Sequence, residues 1–315
     1  MMNTFKIKDI ISEFSKFIYD SDKIDSEGLF FSGIDSLALA KKEIEILLMH
    51  VLNKDKVFLR THDSCYISEY EFQLLTNLVE RRAKGEPLAY LLGKKEFFGY
   101  DFYVDNTTLI PRADTEILIE TALEYFKNKN KPIYITDFGT GTGCILLTLL
   151  KELEQSKGIG IDIAKGSISL AMKNCSALDL DKSVMFYSMD FTDKNFFQEF
   201  TTVIQKMNIN KFDLVISNPP YIPENEYRVL DNSVKNYEPK TALYSPNTKY
   251  SGLYHIEKVI ELAEKLLNQK GLLLIEHGYN QGKAVRESCY LYDFDEIKTG
   301  YDYGGNERFL YAVKK

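Results

Sequence analysis

The sequence has few cysteines, no surplus of positive charge and no long apolar run. Its four cysteines, Cys65, Cys144, Cys175 and Cys289, lie far apart, without a CxxC pair or neighbouring histidines at ligand spacing. That pattern excludes a disulfide framework and a sequence-encoded zinc site, and it reads as reduced thiols in a cytoplasmic protein that needs no metal. Lys and Arg number 39 against 46 Asp and Glu, for a net charge of −7. Residues 1–84 hold 12 basic and 14 acidic side chains, so no basic module hides in the N-terminal part. Such a chain lacks the cationic field that collects nucleic-acid phosphates. No stretch approaches the roughly 18 to 20 apolar residues of a membrane span. The opening MMNTFKIKDIISEF scatters charges through its apolar positions, so the expectation is a chain with no secretory leader, no membrane association and no direct nucleic-acid contact.

What is present is ordinary globular material: 315 residues, 44% hydrophobic and 27% charged, enough for about two domains. Ile7, Ile10, Ile11, Phe14, Phe17 and Ile18 follow three-and-four spacing, as do Ile44, Leu47, Leu48, Val51 and Leu52 after Ser36. Ser68 with Glu71 forms a capping box ahead of Phe72, Leu75, Leu78 and Val79, and Gly85 is a stop. Residues 1–84 therefore read as a small all-helical domain. Residues 85–108 read as a linker with a β-hairpin, because Phe98, Tyr100, Phe102 and Val104 alternate before an Asp105-Asn106 turn signal. Over 109–315, strand patterns at 133–137, 158–162, 184–188, 212–217, 272–276, 294–299 and 308–313 alternate with helical ones at 114–127, 144–155, 165–179, 195–207, 252–268 and 280–291. This alternation predicts an α/β domain with a mostly parallel, helix-covered sheet whose ligands sit at the carboxyl ends of the strands. The stretch 223–250, carrying Pro223, Pro239 and Pro246, reads as a long surface loop.

Two motifs carry chemistry. The first strand runs into Phe138-Gly139-Thr140-Gly141-Thr142-Gly143-Cys144, where glycines let the backbone turn tightly and approach a ligand. The next strand ends in Asp162, nineteen residues after Gly143, placed to accept from the two hydroxyls of a ribose. GxGxG spacing, in place of GxGxxG, tilts the nucleoside away from a dinucleotide and toward S-adenosylmethionine. The second motif is Asn218-Pro219-Pro220-Tyr221, after the buried strand pattern of 212–217. Two prolines remove two N–H donors, so the Asn218 side-chain oxygen and the Pro219 carbonyl are free to accept from one NH2 group, with Tyr221 packing on its planar π system.

With these residues in view the chain resembles the release factor glutamine methyltransferases, the PrmC/HemK family, from about residue 85 to the C-terminus. Its linker signatures are matched by 85–93, by Glu96-Phe97-Phe98-Gly99 and by Leu109-Ile110-Pro111-Arg112-Ala113-Asp114-Thr115-Glu116, the last with Ala113 where many relatives carry proline. Downstream, Glu238-Pro239, Ala242-Leu243, Glu276-His277-Gly278 with Gln281, and Asp302-Tyr303-Gly304 with Arg308 also match. The resemblance implies a seven-stranded Rossmann-like class I methyltransferase domain behind a helical domain that helps dock the substrate. It implies methyl transfer from S-adenosylmethionine to the amide nitrogen of the GGQ glutamine of class 1 peptide chain release factors, leaving S-adenosylhomocysteine. Gly139, Thr140, Gly141, Thr142 and Gly143 match the cofactor loop, Asp162 the ribose acid and Phe191 an aromatic beside the adenine. Asn218, Pro219, Pro220 and Tyr221 match the substrate clamp, with Asn218 also beside the cofactor. Arg112 is either a substrate or cofactor contact or a structural ion-pair partner. The competing readings are a DNA adenine-N6 methyltransferase, which the net charge opposes, and a non-catalytic module that binds translation factors.

Overall fold

The computed structural model describes residues 5–21, 36–129, 131–206, 208–246 and 251–315. The chain divides into two compact units, one of Met1–Gly93 with Leu230–Tyr237, the other of Lys94–Val229 with Glu238–Lys315.

The first unit is built on α1 (Ile7–Ser21), α2 (Leu37–Leu52), α3 (Lys56–Thr61), α4 (Glu69–Ala83) and α5 (Leu88–Leu92). Ser36 accepts from Leu39 N to start α2, and the Ser68–Glu71 capping box closes both ways at the start of α4. Caps of this kind are worth about 1 kcal/mol each. The apolar stripes meet in one core of Ile7, Ile10, Ile18, Ile44, Leu47, Leu48, Leu75 and Val79. The buried Arg82 is held by Glu43, with Nε to Oε2 at 2.6 Å. The unit is not purely helical: β1 (Phe5–Lys6) pairs antiparallel with β2 (Tyr66–Ile67).

The second unit opens with β3 (Lys94–Phe97) and β4 (Tyr100–Tyr103). The hairpin turn lies at Phe98-Gly99, not at the Asp105-Asn106 signal, with φ of +51° and +78°. Positive φ at both central residues gives the turn its right-handed twist, but it is uncommon for phenylalanine. Glu116 Oε1 steadies it by accepting from Phe98 N at 3.0 Å. Asp105 instead accepts from Thr107 N in a local turn.

The remaining strands are β5 (Tyr134–Phe138), β6 (Lys157–Asp162), β7 (Val184–Ser188), β8 (Phe212–Ser217), β9 (Leu267–Glu276), β10 (Phe294–Tyr301) and β11 (Glu307–Lys314). They form one sheet in the order β10-β11-β9-β8-β5-β6-β7, with only β11 reversed against its neighbours. Every residue of β8 is buried, as expected of a central strand covered on both faces. The helices are α6 (Glu116–Phe126), α7 (Cys144–Glu152), α8 (Lys165–Ala177), α9 (Phe196–Lys206), α10 (Glu224–Tyr227), α11 (Asn232–Tyr237, in the first unit), α12 (Lys240–Leu243), α13 (Tyr254–Leu266) and α14 (Gly282–Cys289). Two apolar clusters, one on each face of the sheet, make the core.

The loop expected over 223–250 is more ordered than its prolines suggested. It contains three short helices, and Ile222 bridges to Tyr244. Positions 247–250, and residue 207 of the helix expected over 195–207, lie outside the described residues. Among the described residues no helix is long and apolar enough to cross a membrane.

Candidate active site

Strand order reverses at β5, where β6 and β7 lie to one side and β8 to the other. A crevice opens at the carboxyl ends of strands at such a switch point. There the second unit holds a cavity of about 460 Å³, within the usual range for small-molecule sites.

The glycine loop forms its floor. Gly139, Gly141 and Gly143 all have positive φ, at +74°, +54° and +80°. Gly139 N and Thr140 N both donate to Ile161 O, at 2.8 and 2.9 Å, which ties the loop to β6. A Cβ at Gly143 would stand 3.0 Å from Leu147 Cδ1, so the third glycine serves close helix packing, whereas a Cβ at Gly141 would meet open space. Asn174 fastens the loop from behind, its Nδ2 donating to Thr142 O at 2.9 Å and Tyr103 O at 3.0 Å.

Asp162 stands at the end of β6 with Oδ2 accepting from Gly141 N and Oδ1 from Ala164 N, both at 2.9 Å. Burial raises its pKa and these backbone donors oppose the shift. Each carboxylate oxygen keeps lone-pair capacity for a further donor. Phe191 is buried, lines the cavity, and meets the His255 ring edge-on at 5.8 Å.

Asn218-Pro219-Pro220-Tyr221 follows β8 directly. Ser217 Oγ donates to Phe138 O at 2.6 Å and so joins the ends of β8 and β5. Asn218 Nδ2 donates to Thr115 Oγ1 at 3.3 Å. The Pro220 carbonyl lies 3.3 Å from His255 Nδ1, and the Tyr221 carbonyl accepts from Gln281 Nε2 at 2.9 Å. Among the described residues no hydrogen bond reaches the Pro219 carbonyl or Asn218 Oδ1. These are the two acceptors expected from the two prolines.

The cavity brings together Arg112, Gly139, Thr140, Gly141, Thr142, Asp162, Phe191, Asn218 and Pro220. Gly143, Pro219 and Tyr221 flank it without lining it. The Tyr221 hydroxyl is turned to Glu276, donating to Oε1 at 3.1 Å. Arg112 pairs with Glu238, whose Oε2 also accepts from Ile110 N at 3.0 Å.

Several contributors had no role in the sequence reading. Asp137, just ahead of the glycines, is fully buried, with Oδ2 accepting from Thr140 Oγ1 at 2.7 Å and Oδ1 unpartnered. Burial pushes its carboxyl up to about 7. Its place at the end of an apolar strand was the available signal. Thr115 and Glu238 lay inside quoted signatures but carried no assigned function. His255 and Tyr244 also line the cavity, and nothing in their local sequence marked them.

A family model described as the PrmC N-terminal domain matches residues 33–93, and one described as a methyltransferase domain matches 129–305. The release factor glutamine methyltransferase of Buchnera aphidicola subsp. Baizongia pistaciae is 37% identical to this chain over 87% of it and 92% of the relative. That of Escherichia coli is 35% identical over 85% of this chain and 90% of the relative. Among solved structures, the hMettl16 catalytic domain in complex with MAT2A 3'UTR hairpin 6 aligns with a TM-score of 0.52 at 14% identity, covering 78% of this chain and 82% of that one. That likeness concerns the fold, which is the seven-stranded class I methyltransferase fold.

Proposed function

Because this chain belongs to the release factor glutamine methyltransferase family, we propose that it methylates the side-chain amide nitrogen (N5) of the GGQ glutamine in class 1 peptide chain release factors. The methyl donor in this reading is S-adenosylmethionine, the product S-adenosylhomocysteine, and no metal takes part. The protein acts in the cytoplasm, with residues 1–84 as a docking domain, 85–108 as a linker and 109–315 as the methyltransferase domain. A neutral carboxamide acceptor at Asn218, beside a glycine loop and a strand-end acid, is the observation that carries the proposal.

The donor, when bound, supplies an electrophilic methyl. The chain supplies the rest. The open space beside Gly141 accommodates the donor, the free lone pairs of Asp162 accept from ribose hydroxyls, and Phe191 offers an aromatic face to adenine. Asn218 Oδ1 and the Pro219 carbonyl accept the two N–H bonds of the glutamine amide. Pro220 and Tyr221 complete the clamp, Tyr221 being anchored on Glu276.

An amide nitrogen is a poor nucleophile because its lone pair is delocalised. Methyl transfer makes it tetrahedral and positive until a proton departs. Acceptors held against it therefore bind the transition state more strongly than the ground state. A charge-assisted hydrogen bond worth about 1.5 to 3 kcal/mol corresponds to roughly 10- to 150-fold in rate. Further acceleration comes from holding the reacting atoms in line.

The test is transfer of labelled methyl from S-adenosylmethionine to a purified release factor. One methyl per release factor is expected, and none after the GGQ glutamine is replaced. Label on DNA, or none on any release factor, would overturn the proposal.

A further inference from the structure

The two ends of an asparagine carboxamide are nearly identical in shape and opposite in function, since the oxygen accepts and the NH2 group donates. A clamp that accepts from a substrate NH2 therefore works in one orientation only. Turned over, it sets donor against donor.

The structure contains a device that selects the orientation. Asn218 Nδ2 donates to Thr115 Oγ1 at 3.3 Å, and Thr115 Oγ1 donates to Glu276 Oε2 at 2.6 Å. Glu276 Oε1 accepts from the Tyr221 hydroxyl at 3.1 Å. Thr115 and Glu276 are each only 2% exposed, so water does not scramble the chain. A carboxylate has no proton to give, which commits the Thr115 proton to Glu276 and leaves the Thr115 oxygen as an acceptor. Whatever faces that oxygen must present N–H. Burial raises the Glu276 pKa, whereas the hydrogen bonds from Thr115 and Tyr221 and the nearby Arg308, itself paired with Asp302 at 2.8 Å and Asp114 at 3.3 Å, favour its charged form.

We propose that Thr115, oriented by Glu276, is the positioning residue that fixes the Asn218 carboxamide with its oxygen toward the substrate amide. The assignment rests on the reading of Asn218 as the clamp. Thr115 lines the cavity beside Asn218, and in this assignment it acts on the substrate amide through the Asn218 carboxamide. That distinguishes it from a residue that only supports the fold at the start of α6.

A double-mutant cycle on the full-length protein tests this. Single-turnover transfer to a release factor is measured beside cofactor affinity by titration calorimetry and beside melting temperature. Thr115→Val removes the hydroxyl and should slow transfer about 2- to 12-fold, the range of one neutral hydrogen bond, with cofactor affinity unchanged. Thr115→Ser restores the hydroxyl and should restore the rate. In an Asn218→Ala background, Thr115→Val should cost nothing more. Glu276→Gln gives an independent cycle should the valine variant fail to fold. Tyr221 can keep the new amide oxygen, the new NH2 then faces Thr115, and the chain of donors reverses, turning the Asn218 NH2 group outward. It too should slow transfer only while Asn218 is present.

Full activity of Thr115→Val, failure of Thr115→Ser to restore the rate, or equal losses with and without Asn218 overturn the assignment. If Asn218→Ala alone leaves the rate unchanged, the clamp reading falls and this assignment with it. If Asn218→Ala is slow but the Thr115 effect is additive, only this assignment falls.

Discussion

Replacing Asp137 by asparagine isolates the cost of a buried charge beneath the glycine loop. Asp137 is inaccessible, only one of its oxygens has a partner, and burial lifts its pKa from 3.8 to about 7. Thr140 opposes the shift by donating a hydrogen bond, and the nearby charge of Asp162 adds to it. The native state thus keeps the Asp137 proton up to about pH 7, whereas the unfolded chain releases it near pH 4. Between those values the native state binds more protons, so this group lowers stability as pH rises and contributes no further slope above pH 7. A rise of roughly three units at about 1.4 kcal/mol each sets an upper limit of about 4 kcal/mol. The asparagine side chain keeps the shape and an oxygen for Thr140 but cannot ionise. The stability gain of Asp137→Asn over the parent should therefore grow from about pH 4 to about pH 8 by up to that amount. Urea unfolding across this window measures it, and taking the difference cancels the carboxylates that do not interact with Asp137. Asp302 in particular, held down to about 2 by Arg308, titrates below the window. A difference independent of pH would refute the reasoning.

Asn218→Ala should keep cofactor affinity by calorimetry and slow single-turnover transfer by about 2 to 4 kcal/mol, the scale of one lost transition-state contact; equal losses in both would place it in cofactor binding instead. Asp162→Ala removes the acceptor of Gly141 N and Ala164 N. It should weaken cofactor affinity by about 10- to 150-fold, the worth of a charge-assisted hydrogen bond, and unchanged affinity would count against the ribose role. Gly252→Ala would place a Cβ 2.0 Å from the Tyr221 carbonyl oxygen at a φ of +65°. Because the clash is with backbone and no side-chain rotation can relieve it, the variant should melt well below the parent and lose transfer, and a stable, active variant would show that Gly252 is not seated on Tyr221.

Hydrophobic periodicity made the seven strands legible, because each is a run of apolar or β-branched residues between helical patterns. Its errors have local causes. The Leu267–Glu276 strand begins five residues before its apolar run, since Asn268, Gln269 and Lys270 carry no strand pattern. The hairpin turn was misplaced because Phe98 adopts a left-handed conformation that its side chain does not favour, supported by Glu116 eighteen residues away. The glycine loop and the NPPY clamp were legible because a tight turn and a missing donor are properties of the residues themselves. Tyr221 is the instructive case. A ring was expected against the substrate plane, but where its hydroxyl points depends on Glu276, which no spacing connects to it.

The same dependence ties three separate signatures to the Asn218–Tyr221 motif. Ile110, Arg112 and Thr115 belong to one short segment before α6, and all three are engaged by carboxylates from distant parts of the chain. Glu238 takes Ile110 N and Arg112 across more than 120 residues, and Glu276 takes Thr115 across 161. Through Thr115 that segment reaches Asn218, and through Tyr221 the carboxylate of Glu276 reaches the far end of the clamp. Each acid is almost fully buried, so removing either partner would leave a charge without compensation, a loss larger than the pair itself is worth. Such a network constrains residues at all four places together, though each looks unremarkable alone. In the proposed mechanism their common task is to hold a neutral carboxamide in one orientation beside the glycine loop. That requirement follows from the weak nucleophilicity of an amide nitrogen, which leaves the acceptors no freedom to turn.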